Sequence, residues 1–161
     1  MFQKTLSKVA CAAGAIFAAC VSTPVLAGPI KDVPAGSKIL PAVASVTSKK
    51  LMDAPGGKFN GDKPVTRYEL AVTLDRLVKY IENGRKPMHP TKRQHSAKLP
   101  AGATGEVRRA LKHLTDYNFI APDSFLLKGK GTEQVTAKQL TAAISAVTIR
   151  LSDRAIAPQP D

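Results

Sequence analysis

Thr66-Arg67-Tyr68-Glu69 is the stretch of this chain whose residue types and spacing best suit ligand chemistry. A Thr and a Glu three positions apart form a capping box. The hydroxyl accepts from a first-turn N–H while the carboxylate reaches back to the N-cap. A guanidinium placed just after the cap sits at the positive end of the helix dipole. Its planar fork of donors, beside N–H groups with no intrahelical partner, suits a carboxylate or phosphate. Thr66 and Glu69 shape the helix start, and the question this stretch raises is whether Arg67 is a cation aimed at a ligand. An Arg bridged to a neighbouring acid, or lying on a solvated face, is the alternative. Thr136 and Gln139 repeat the box, but Ala137 stands where Arg67 stands in the first copy.

Other chemistry is poorly served. His89, His95 and His113 have no second ligand at a metal-site spacing. Asp53 and Asp62 could pair for glycan cleavage, yet both sit in a turn-rich loop where Asp is ordinary. No nucleophile elbow is present, and Gly56-Gly57 is followed by no phosphate-cradling Gly-Lys-Thr. The expectation is a non-enzyme with no metal and no cofactor.

The two capping boxes belong to a longer internal repeat. Residues 33–55 and 99–122 both open on Pro-Ala-Gly, run through an apolar periodic stretch and close on Ala-Pro. Residues 65–77 and 135–147 follow in the same order. Each half reads as helix, loop, helix, so the fold class expected is all-α. In the first half Ile39, Leu40, Val43 and Val46 share a face, with Pro41 tolerated in the first turn. Leu70, Leu74, Leu77, Val78 and Ile81 make the next stripe, which Asn83-Gly84 should stop. The second half offers Val107, Ala110, Leu111 and Leu114, then Leu140, Ile144, Val147 and Leu151. Phe125, Leu126 and Leu127 should tuck inward. Neither pair of helices can bury its stripes alone, so the halves should share a core built from Leu70, Leu74, Leu77, Leu140, Ile144 and Val147.

Residues 1–27 read as an export signal: a basic start at Lys4 and Lys8, a short apolar run, and Val25-Leu26-Ala27 before the cut. Lipidation at Cys20, in Phe17-Ala18-Ala19-Cys20, is the minority alternative. Cleavage after Ala27 would leave 134 residues, no cysteine and a charge of +10, the whole-chain +12 less Lys4 and Lys8. The mature chain should then consist of a first repeat (28–82), a basic linker (83–98), a second repeat (99–153) and an unstructured tail (154–161), with no transmembrane segment. Five Lys/Arg and no acid in the linker suit anionic surroundings such as wall polymers or lipid headgroups, and equally a solvated flexible tether. Export and the absence of Trp argue against nucleic acid as the physiological partner.

The first half resembles the S-layer homology domain. That family's pattern runs Phe-x-Asp-Val-Pro, an amphipathic helix, a Pro-Asp-Gly-Thr-Phe turn and a Thr-Arg-Ala-Glu helix start. Here it meets Ile30-Lys31-Asp32-Val33-Pro34, Pro55-Gly56-Gly57-Lys58-Phe59 and Val65-Thr66-Arg67-Tyr68-Glu69, in register over roughly fifty residues. Residues 99–151 resemble the same unit in degenerate form. The resemblance implies non-catalytic attachment to the cell envelope. The partner would be an anionic or pyruvylated wall-linked polysaccharide, or another peptidoglycan-linked polymer, gripped by the Arg of the second helix. It carries over Asp32, Thr66, Arg67 and Glu69 as site residues, and adds Lys38, where the family often has Trp, and Lys138 as weaker candidates. Polymer-binding members commonly use three repeats, and this chain has two. The alternative is an adaptor module that packs against other envelope proteins and no longer binds glycan.

Overall fold

The computed structural model describes residues 30–82 and 97–156. The signal segment, Asn83-Gly84, nearly all of the basic linker and residues 157–161 of the expected tail lie outside the described residues. The architecture is all-helical. Helix α1 (Leu40–Ser48) leads through a 3-10 turn (Pro55–Gly57) to α2 (Arg67–Glu82). Helix α3 (Gly105–Asp116) leads through a second 3-10 turn (Phe125–Leu127) to α4 (Ala137–Ile156). Helix α4 thus runs three residues into the segment the sequence assigns to the tail.

The repeat is written into the hydrogen bonds. In both halves Pro-Ala-Gly forms the same turn: Ser37 N–H donates to Pro34 O at 2.9 Å and Ala103 N–H to Pro100 O at 3.0 Å. Both first helices end on a residue in the left-handed region, Lys50 (φ 55°) and Asn118 (φ 62°). The next two N–H groups return to one carbonyl, Leu51 and Met52 to Val46 O, and Phe119 and Ile120 to Leu114 O. Both capping boxes form as expected. Thr66 N–H donates to Glu69 Oε2 at 2.9 Å, and Thr136 N–H to Gln139 Oε1 at 3.0 Å. Their hydroxyls accept from Glu69 N–H and Gln139 N–H, both at 3.2 Å.

The halves are not equal in the core. Helix α2 packs chiefly on α3 and also meets α4 and the second 3-10 turn. The main cluster takes Leu70, Leu74, Val78, Leu111, Leu114, Phe119, Leu126 and Val147, with Phe125 and Leu127 packed against it. No α1 residue joins that cluster; α1 buries Val43, while Val33 and Leu51 are also buried outside the main core. Two members of the expected core are displaced: Ile144 is 43% exposed and Leu77 only half-buried. Ile81, assigned to the same stripe as Leu77, is 39% exposed. The buried rows are instead Leu70/Ala71/Leu74/Asp75/Val78 on α2 and Ala143/Val147 on α4. At about 3.6 residues per turn, Leu77 and Ile81 on α2 and Ile144 on α4 fall on rows flanking the ones that are covered.

Candidate functional site

The start of α2 is a junction between the halves. Residues 128–135 cross over it, and an antiparallel bridge joins Thr66 to Gln134. Val135 N–H donates to Val65 O at 2.8 Å, Arg67 N–H to Glu133 O at 3.0 Å and Tyr68 N–H to Gly131 O at 3.1 Å. With Thr66 and Glu69 paired inside the capping box, every N–H from Thr66 through Glu69 has a protein acceptor. The expectation of free first-turn donors is corrected on this point: the chain supplies its own carbonyls where a ligand anion was expected.

Arg67 is engaged in the same way. Its Nη2 lies 2.6 Å from Glu133 Oε2, its Nη1 donates to Lys128 O, and its side chain is 14% exposed. Its Nε is buried and meets no acceptor among the described residues. Two glycines make room for this crossing. A Cβ on Gly129 would meet Arg67 Nη1 at 2.5 Å, and one on Gly131 would lie 2.0 Å from Tyr68 Cζ. The longer second-half loop, with its Gly-Lys-Gly, is thus shaped to hold the Arg67-Tyr68 pair. Sequence reasoning missed this partner.

The other expected site residues scatter. The Asp32 carboxylate accepts from Phe59 N–H at 2.7 Å and Asn60 N–H at 2.6 Å, and these two bonds hold it below the ordinary carboxylate range. It shapes the turn-rich loop. The Glu69 carboxyl is lowered by its bond from Lys63, 2.6 Å away, then by Thr66 N–H. Lys38 and Lys138 are exposed, with no polar partner among the described residues.

The residues after Arg67 line a cleft of about 370 Å³ between the first-half loop, α2 and the start of α3. Phe59, Tyr68 and Val72 give it apolar walls. Lys63 and Glu69 stand at one place on its lining, and Arg76 at another. Arg76 reaches Asp53 at 2.9 Å and Glu106 at 3.0 Å, tying loop and α3 to α2. Burial lowers the Arg76 pKa, but the two carboxylates outweigh it and raise it overall. Asp53, considered for catalysis, is therefore an ion-pair partner.

A buried polar contact sits deeper. Asp75, 3% exposed in the face of α2, accepts from His113 Nδ1 at 2.6 Å and Lys79 Nζ at 2.6 Å. His113 also packs at a tilt on Tyr117, ring centroids 5.0 Å apart. Burial pushes the Asp75 carboxyl up, and the hydrogen bonds from His113 and Lys79 outweigh it, so the net direction is down. Asp32, Glu69 and Asp75 all have folded values below the ordinary 3.8 or 4.5. A carboxyl lowered on folding contributes stability above its unfolded value and loses it as pH falls through the folded value. The protein should therefore lose urea resistance steadily below about pH 4, and Asp75→Asn should flatten part of that slope while lowering stability at pH 7. A wild-type stability that is level between pH 5 and pH 2 would contradict this assignment. No group of His, Cys, Asp and Glu among the described residues is arranged to hold a metal ion.

Compared with known proteins, the chain is 34% identical over 62 residues to "Outer membrane protein alpha" of Thermotoga maritima. The match covers 38% of this chain and 12% of that much longer protein. No family model matches the chain, and no solved structure matches it. Among the described residues no helix is long and apolar enough to cross a membrane.

Proposed function

We propose that this is a non-catalytic cell-envelope protein that binds wall-linked polysaccharide through its first repeat. The local similarity to an outer membrane protein supports the envelope role, and the strongly basic composition suits an anionic polymer matrix. The observation that carries the binding reading is the cleft. Aromatic walls at Phe59 and Tyr68 beside charged groups at Asp53 and Glu106 are what a sugar chain needs, a face for C–H contact and partners for hydroxyls. In this reading Arg67 serves as the clamp that fixes Tyr68, and a ligand carboxylate would have to displace Glu133 to reach it.

Cosedimentation with purified sacculi tests the reading. Thr73 lines the cleft and is half-buried, so Thr73→Trp should fill it. The variant should keep its helical circular dichroism and bind sacculi about tenfold more weakly, the equivalent of about 1.4 kcal/mol. Equal binding by a folded Thr73→Trp protein would remove the cleft from the account.

The clamp role of Arg67 makes a separate prediction. Arg67→Ala should lower stability by about 1–2 kcal/mol, because it breaks one charged hydrogen bond and a partly exposed ion pair. Arg67→Lys should recover only part, since an ammonium cannot serve Glu133 and Lys128 O with a fork. Under native conditions both should still bind sacculi within about threefold of wild type. Strong loss of binding at unchanged stability would return Arg67 to direct ligand contact.

A second reading, an adaptor that packs against other envelope proteins, draws on the same junction. The first-turn donors and Arg67 are already occupied by the second half, as they would be in repeats that have given up glycan. Capture of envelope proteins without sacculus binding would favour it.

A further inference from the structure

The cleft differs in charge from the rest of the chain. Its lining carries two cations, Lys63 and Arg76, against three carboxylates, Asp53, Glu69 and Glu106, on a chain of formal charge +12. Both cations are committed, Lys63 to Glu69 and Arg76 to Asp53 and Glu106. An anionic group entering here would meet a net negative lining and would have to break an ion pair to find a counter-charge.

What remains open is acceptor capacity. Asp53 uses Oδ1 and Glu106 uses Oε1 on Arg76, and among the described residues their second oxygens accept no hydrogen bond. Their side chains are 75% and 52% exposed, so both are open to solvent. A carboxylate can only accept, so its partner must bring O–H or N–H donors. The same cleft is lined by the apolar side chains of Phe59, Tyr68 and Val72. A ligand rich in hydroxyl donors, flat and apolar on one side, and without charge meets all three conditions. The volume, about 370 Å³, is at the low end of small-ligand sites, which run from about 300 to 1,000 Å³.

We propose that the cleft takes an uncharged pyranose unit of the polymer, its hydroxyls donating to Asp53 and Glu106 and its C–H face lying on Phe59 and Tyr68. This rests on the polysaccharide reading above and names the class of sugar. The cleft selects neutral units, and the polymer's negative groups fall to the basic surface outside it.

Two soluble probes decide the matter, the N-acetylglucosamine trimer and the galacturonate trimer, each titrated into the ¹⁵N-labelled protein and followed by amide shifts. The neutral trimer should move Phe59, Asn60, Thr73 and Glu106. The galacturonate trimer should bind there at least about tenfold more weakly, and Phe59→Ala should weaken the neutral trimer about tenfold. Galacturonate binding the cleft as tightly as the neutral trimer, or neither trimer moving those amides, overturns the inference. Sacculus cosedimentation on the same samples separates the two claims. Sacculi retained with the cleft amides still means the inference fails while polymer binding stands. A neutral trimer in the cleft with no sacculus binding means the reverse.

Discussion

Gly131→Ala should be among the most damaging single changes in this protein, costing about 3 kcal/mol, the upper end of what overpacking exacts. The added Cβ would lie 2.0, 2.1 and 2.2 Å from Tyr68 Cζ, Cε1 and Cε2. No side-chain rotation relieves three such contacts on one rigid ring. The ring cannot easily retreat, because Tyr68 N–H is bound to Gly131 O and Tyr68 packs against the core cluster. The strain therefore passes into the crossing of residues 128–135 over α2, which joins the two halves. Urea denaturation of Gly131→Ala, Tyr68→Ala and the double variant tests this as a cycle. Tyr68→Ala should cost stability alone yet remove the clash, so the double variant should be far more stable than the two losses added together. A Gly131→Ala loss below about 1 kcal/mol would mean that the ring moves freely and the halves are loosely joined.

Leu74→Ala should cost about 2–5 kcal/mol, since the side chain is 1% exposed in the middle of the main cluster. Its comparison is Ile144→Ala. Both residues belong to the core that the sequence periodicity suggests, but Ile144 is 43% exposed, and its truncation should cost less than about 1 kcal/mol. The pair tests the packing face directly. Equal losses from the two variants would mean that α4 is rotated from the position described here.

These two cases also show what a sequence reveals. The helix starts, the turns at Pro34 and Pro100 and the closing motifs at Lys50 and Asn118 depend on residues a few positions apart. The repeat that contains them was accordingly legible. The apolar stripes were legible as helix faces but not to the row. On α2 the neighbouring rows through Leu77 and Ile81, and through Ala71 and Val78, are both apolar, and only the partner helix decides which is covered. Asp75 was missed for the same reason, although a carboxyl between Ala71 and Val78 in an apolar row was a signal. The fate of Arg67 was not legible at all. Its cap was local, while its partners Lys128 and Glu133 lie more than sixty positions away and arrive through a loop whose only sequence mark is two glycines.

The central claim is that the folded protein recognises wall-linked polysaccharide. The most direct measurement is cosedimentation of the purified protein with intact sacculi and with sacculi stripped of their covalently linked polymer, at physiological salt. The account predicts saturable binding to intact sacculi, loss of most of it on stripping, and competition by the released polymer. Equal binding to stripped and intact sacculi, or no binding to either by a protein with intact helical circular dichroism, would contradict it.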